Sequence, residues 1–181
     1  MSDHTPKKII PRYIEPRKFV NHAVVLQGEV ATDGLTRFAE ASIKAEHIEV
    51  ELTFSFDEER RRTVTGWAKA NLWVECQRCL ELMTYVIETD IAWAIVWDEE
   101  KARQLPSRLE PWIAGEDAED LYAMIEEELL LALPTAPTHQ ELCIDSALLS
   151  SGEVVEDDEI IEKQNPFSAL AALKGKKETK H

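Results

Sequence analysis

Glycine is scarce in this sequence, cysteine scarcer, and no long apolar run occurs anywhere; between Glu110 and Glu162 lysine and arginine are missing altogether. Each absence excludes something. Six glycines scattered over 181 residues form no Gly-rich loop of the kind that cradles phosphates. No run approaches the ~20 apolar residues of a membrane span. The first residues, "MSDHTPKKIIPRY", have no apolar stretch that would serve as a secretory signal. A cytoplasmic location follows as an expectation. There, thiols stay reduced, so closely spaced cysteines point to metal or redox chemistry sooner than to a structural disulfide. Internal repeats are also missing.

What is present suffices for one ordinary domain with appendages. Apolar residues make up 44% of the chain, with five Trp, five Phe and three Tyr, enough to build a core. The net charge of −15 is unevenly spread. Residues 110–162 hold sixteen carboxylates and no cation, residues 163–181 hold five Lys against one Glu, and residues 1–109 are close to balance with fifteen basic and eighteen acidic groups. A surface of the acidic sign repels phosphate and attracts cationic partners. Broad nucleic-acid binding through that third is disfavoured.

Hydrophobic periodicity places the elements. Residues 1–20 mix five cations with Pro6, Pro11 and Pro16 and read as an extended basic arm. "AVVLQGEV" reads as a strand, and "TDGLTRFAEASI", with Leu35, Phe38 and Ala39 at helical spacing, as a short helix. In "HIEVELTFSF", Ile48, Val50, Leu52, Phe54 and Phe56 alternate with polar residues, the two-residue period of a half-buried strand. After the turn "DEERRR", Val64, Ala68, Ala70, Leu72 and Val74 share one face of a second strand. A third strand carries Met83, Tyr85, Ile87, Ile91, Trp93, Ile95 and Trp97.

Residues 97–115 read as a loop. A helix capped by Asp117 or Asp120 then runs to Pro134, with an apolar stripe through Leu121, Met124, Ile125 and Leu129 and with Glu126, Glu127 and Glu128 toward water. Acidic residues 145–164 read as a flexible linker. "NPFSALAALKGKK" then carries the signals of a short helix, with Asn165 as N-cap, Pro166 at the first position and Gly175 as the stop. Such a short helix must dock on something to persist.

The expected class is α+β: an antiparallel β meander or small open barrel with a packed amphipathic helix, followed by the acidic linker and the short helix. In domain terms this means an arm over 1–20, a single α+β domain over 21–144, a linker over 145–164, and a docking helix with a basic tail over 165–181.

Two of the three cysteines, Cys76 and Cys79, flank a two-residue gap in "VECQRCLEL", between the second strand and the third. The spacing puts them at a hairpin tip. A tetrahedral zinc site wants four N or S ligands, two of them usually from a tight turn. "HQELC" offers His139 and Cys143, so the C-x-x-C and H-x-x-x-C pairs together use every cysteine. One structural zinc, a thiol-redox pair supported by Arg78, and simple half-buried thiols all remain open. A redox pair normally opens a helix, whereas strands flank this one. No other catalytic constellation is present, and the reading is of a protein that is not an enzyme and has no small-molecule substrate.

"VECQRC" at 74–79, "MIEEELLLALPTAPTH" at 124–139 and "NPFSALAALK" at 165–174, in that order with an acidic linker before the last, resemble the YceD family of large ribosomal RNA subunit accumulation proteins; "LQGEV" at 26–30 fits as well. The resemblance implies a bacterial, cytoplasmic, non-catalytic factor acting in synthesis, processing or stability of 23S ribosomal RNA. It brings no set of functional residues. Leu80 stands where a turn of this kind often favours glycine.

The expected partner is a ribosomal protein or large-subunit assembly factor. The acidic third would face its basic surface, while Phe167, Leu170, Leu173 and Lys174 anchor it as a tethered helix. Direct RNA binding through the N-terminal arm and the turn at Arg60, Arg61 and Arg62 is a separate alternative.

Overall fold

A computed structural model describes residues 8–146. Residues 8–144 belong to one compact unit, and the expected docking helix, with nearly all of the expected linker, lies outside the described residues. The protein is α+β. Its main sheet contains β2 (Val25–Glu29), β3 (Lys44–Phe56), β4 (Arg62–Glu75), β5 (Leu82–Val96) and β6 (Glu110–Ile113), in that spatial order. A two-stranded sheet pairs β1 (Tyr13–Ile14) with β7 (Glu119–Asp120). The helices are α1 (Pro16–Asn21), α2 (Thr36–Ala41), α3 (Glu99–Ala102) and α4 (Leu121–Ala132). Among the described residues no helix is long and apolar enough to cross a membrane.

The alternation seen in the sequence becomes the inner face of the sheet. Ile48, Val50, Leu52 and Phe54 of β3, Val64, Ala68, Ala70, Leu72 and Val74 of β4, and Ile87, Ile91 and Trp93 of β5 are all buried. Antiparallel pairing fixes their register, with Val50 opposite Ala68 and Ala70 opposite Ile87. Phe56 and Trp97, at the strand ends, escape burial. Gly66 has a mechanical reason: a Cβ there would overlap the carbonyl oxygen of Glu51 on β3.

α4 covers the sheet with Leu121, Ile125 and Leu129. Asp120 caps it, accepting from the backbone N–H groups of Tyr122 at 3.0 Å and Ala123 at 3.3 Å. Glu126, expected on the wet face, is buried instead. Its carboxylate accepts from Phe38 N–H at 3.1 Å and from Arg37 Nε at 3.0 Å, so it caps the interior end of α2 and is not solvated. Glu128 also turns inward, accepting from the Trp93 indole at 2.6 Å.

Two sequence expectations are corrected. The described part of the arm, residues 8–20, is not a free extended segment. Ile10, Ile14 and Val20 are buried, β1 pairs with β7, and Pro16–Asn21 is helical. Proline at the first position of α1 forgoes an N–H that would be unpaired anyway, so Pro16 starts a helix where proline density suggested none. Gly28 admits the arm: Glu29 N–H donates to Lys8 O at 3.0 Å, and a Cβ on Gly28 would overlap that same carbonyl. The second correction concerns 97–115, which holds α3 and β6. β6 lies parallel to β5, so antiparallel alternation ends at β5, and Trp112 packs edge-on against Trp93 at 5.5 Å between ring centres.

Candidate metal centre

The β4–β5 hairpin closes through residues 76–81, as the sequence placed them. Cys76 N–H donates to Glu81 O at 2.9 Å, and Leu80 N–H to Cys76 O at 2.8 Å. To close so tightly, Leu80 takes a left-handed backbone with φ of 62°. That is the conformation glycine would adopt without strain.

The second ligand pair reaches the first because the chain after α4 turns back over this tip. Gln77 N–H donates to Pro137 O at 2.8 Å. Arg78, inside the C-x-x-C, clamps the returning segment. Its Nη2 donates to the carbonyls of His139 and Glu141, and its Nε to Cys143 Sγ at 3.0 Å. The sequence suggested Arg78 only as an electrostatic aid to a thiolate. Its backbone-holding role could not be read there, because the carbonyls it grips lie more than sixty residues downstream.

Cys76, Cys79, His139 and Cys143 therefore converge, with all four donor atoms within 4.8 Å of one another. Cys76 Sγ lies 3.7 Å from Cys143 Sγ, and Cys79 Sγ lies 3.4 Å from His139 Nδ1. These lengths suit a tetrahedron. Zinc–sulfur bonds of ~2.3 Å and zinc–nitrogen bonds of ~2.0 Å give S···S edges of about 3.8 Å and S···N edges of about 3.6 Å. A disulfide would need roughly 2.0 Å, and all three cysteines are free thiols.

The electrostatics point the same way. Burial pushes the Cys76 thiol up, but backbone N–H groups of Cys79, Arg78 and His139 outweigh it and bring the thiol down to about 5. For Cys79, the Glu81 N–H favours the thiolate, yet burial and the neighbouring sulfurs push it up to about 11. Burial also opposes the Cys143 thiolate, and the Arg78 guanidinium overcomes it, holding this thiol below its ordinary value. His139 is raised by Cys143 and then Cys76. Three sulfurs that cannot all be anionic side by side would be so around a dication. Such an ion with three thiolates carries one net negative charge, which Arg78 balances. A Cys3His cluster capable of coordinating a metal is thus present, with its outer hydrogen bonds in place.

Phe167, Leu170, Leu173 and Lys174 lie outside the described residues.

The family model described as large ribosomal RNA subunit accumulation protein YceD matches residues 64–174, a span that opens in β4 and takes in all four metal-ligand candidates. A protein of that name from Haemophilus influenzae is 30% identical over 169 residues, covering 92% of this chain and 97% of its own. No solved structure matches. By the family match and the length of the alignment, the chain belongs to the YceD family of large ribosomal RNA subunit accumulation proteins.

Proposed function

We propose that this protein is a cytoplasmic, non-catalytic factor of large-subunit ribosome biogenesis, supporting synthesis, processing or stability of 23S ribosomal RNA by binding a ribosomal protein or assembly partner. The observation that carries the reading is the near full-length match to a relative named for accumulation of large-subunit ribosomal RNA. The charge distribution supports a basic partner: sixteen carboxylates without one lysine or arginine between Glu110 and Glu162. Phe167, Leu170, Leu173 and Lys174 serve as a tethered anchor for that partner.

Within this reading Cys76, Cys79, His139 and Cys143 hold one structural zinc. The ion supplies a cross-link between the hairpin tip and the segment that returns from α4. The convergence of all three sulfurs and one imidazole on a single point supports metal over a two-cysteine redox pair, which needs neither His139 nor Cys143.

Pull-down from growing cells with the whole chain and with a variant ending at residue 164 tests the anchor. Loss of ribosomal partners from the shortened chain is expected, and equal recovery would overturn it. Depletion should lower 23S relative to 16S ribosomal RNA. Metal content and a thiol titration separate zinc from redox: one zinc per chain supports the first, a reversible disulfide without metal the second.

A further inference from the structure

The opposite end of the sheet carries a different cluster. β4 runs from Arg62 to Glu75, a span of about 43 Å at ~3.3 Å per residue, so its first residue lies far from the cysteines at its other end. There, the turn before β4, the end of β5, α1 and α3 enclose a cavity of about 270 Å³. Five cations line it: Arg17, Arg60, Arg61, Arg62 and Lys101. Ile95, Trp97 and Leu105 supply an apolar wall.

The hydrogen bonding of these arginines is incomplete in a specific way. Arg17 is only 7% exposed, and its Nη2 donates to Ala114 O at 2.8 Å while its Nε is shared between Ala114 O and Gly115 O. Its guanidinium also covers one face of Trp97, 3.0 Å from the ring centre. Its Nη1 is buried with no partner among the described residues. Arg61 gives Nε to Asp57 at 2.8 Å and Nη1 to Glu59 at 2.7 Å, leaving Nη2 buried and unpartnered among the described residues. Arg62 Nε is the third such atom. Buried unpaired donors are rare because they forfeit their hydration, and three from separate side chains around one cavity call for an acceptor. The arginines also repel one another: burial, and then the charge of Arg62, hold Arg17 below its ordinary value against the pull of Glu116.

We propose that this cavity binds a terminal phosphate: a phosphate monoester carried by a nucleoside, either as a free nucleotide or as the end of an RNA strand. A monoester brings up to two negative charges and three unesterified oxygens to the guanidinium and ammonium groups that line the cavity, whereas an internal phosphodiester or a carboxylate brings one charge and two oxygens. Five cations less Asp57 and Glu59 on Arg61 and Glu116 beside Arg17 leave two positive charges for it, matching a monoester dianion. The apolar wall, with Trp97 53% exposed beside Ile95 and Leu105, would take one base. The volume lies near the lower bound of ~300 Å³ for small-ligand pockets and suits a phosphate with one ring more than a longer strand. In a chain of net charge −15, this is where cations from three elements converge. The inference goes beyond the biogenesis reading and stands without it.

Fluorescence anisotropy of the full chain with a short 3′-labelled RNA, bearing either a 5′-phosphate or a 5′-hydroxyl, tests it. The phosphorylated end should bind about tenfold tighter, with inorganic phosphate competing. Arg62→Gln should remove most of that difference, with thermal unfolding as the check on folding. Arg62 Nε has no hydrogen-bond partner among the described residues, whereas Arg17 also holds two backbone carbonyls. Lys101→Gln, on the exposed α3, provides the second variant if Arg62→Gln does not fold. Nucleoside monophosphate binding as tightly as the RNA would identify a free nucleotide, and tighter RNA binding a strand end. Equal affinity for the two RNA ends, no binding of any phosphorylated probe at millimolar concentration, or unchanged preference in a folded variant would overturn the proposal.

Discussion

Removing the cross-link between the hairpin tip and the returning segment tests the metal reading on a quantity set by chain topology. The two ligand pairs are 60 residues apart at their nearest members. Closing a loop of that length removes about 4 kcal/mol of chain entropy from the unfolded state. Domains of this size are stable by only ~5–15 kcal/mol, so the cross-link is a large fraction. With a urea slope near 2 kcal/mol per molar, it corresponds to a midpoint shift of about 2 M. Cys143→Ser is the suitable perturbation, because Cys143 is half-buried and stands outside the apolar core. Zinc-loaded wild type should unfold about 2 M above chelator-treated wild type. The variant should match the chelated protein, ignore the chelator and retain no zinc. If stripping the metal leaves the wild-type midpoint in place, Gln77 and Arg78 alone hold the segment, and the zinc assignment is wrong.

Other expectations follow from single contacts. Gly66→Ala forces β3 and β4 apart at Glu51 and should cost at least ~1–3 kcal/mol, read as a lower Tm with the helix signal retained up to the transition. Glu126→Ala strands the buried Phe38 N–H and should cost about 1–3 kcal/mol, while Glu126→Gln, which keeps an acceptor oxygen, should cost clearly less in the same urea titration. Asp57 gives a pH signature. Burial disfavours its charge, but hydrogen bonds from the Arg61 backbone and guanidinium prevail and hold the carboxyl below its ordinary value of 3.8. Its contribution is therefore complete above that value and is lost as pH falls through the lower folded one. The stability gap between wild type and Asp57→Asn should be constant from about pH 7 to 5 and close in stronger acid.

The long strands were legible because one face of each is buried and the other wet, which writes a two-residue period into β3, β4 and β5. The start of α4 was legible to within one turn, from Asp117 or Asp120, of which Asp120 is the cap. What escaped notice lacked such a period. β6 is four residues long and lies against β5 through Trp112, and α1 begins on the proline that argued against a helix. Glu126 reads as solvated in the sequence because a carboxylate on a polar-looking face gives no sign that the Phe38 N–H and Arg37 lie opposite it. The four candidate ligands could be gathered from spacing and economy, since no other cysteines competed for the role. Their meeting depended on the chain doubling back after Pro134, and no local pattern encodes that. The same holds at the other end of the sheet. Arg60, Arg61 and Arg62 stood out as a basic turn, but Arg17 joins them only because the supposed arm is folded into the core.

That incorporation of the N-terminal segment has a consequence for how the chain is made. Ile14 pairs with Glu119, and the Ile10 carbonyl accepts from the Tyr122 hydroxyl, 112 residues downstream. At synthesis rates of ~5–20 residues per second, the first apolar residues wait roughly 6–20 s for their partners to leave the ribosome. Until then they are exposed. The N-terminal segment therefore cannot settle into the core until α4 has been made, so this part of the domain folds after the strands that precede α4.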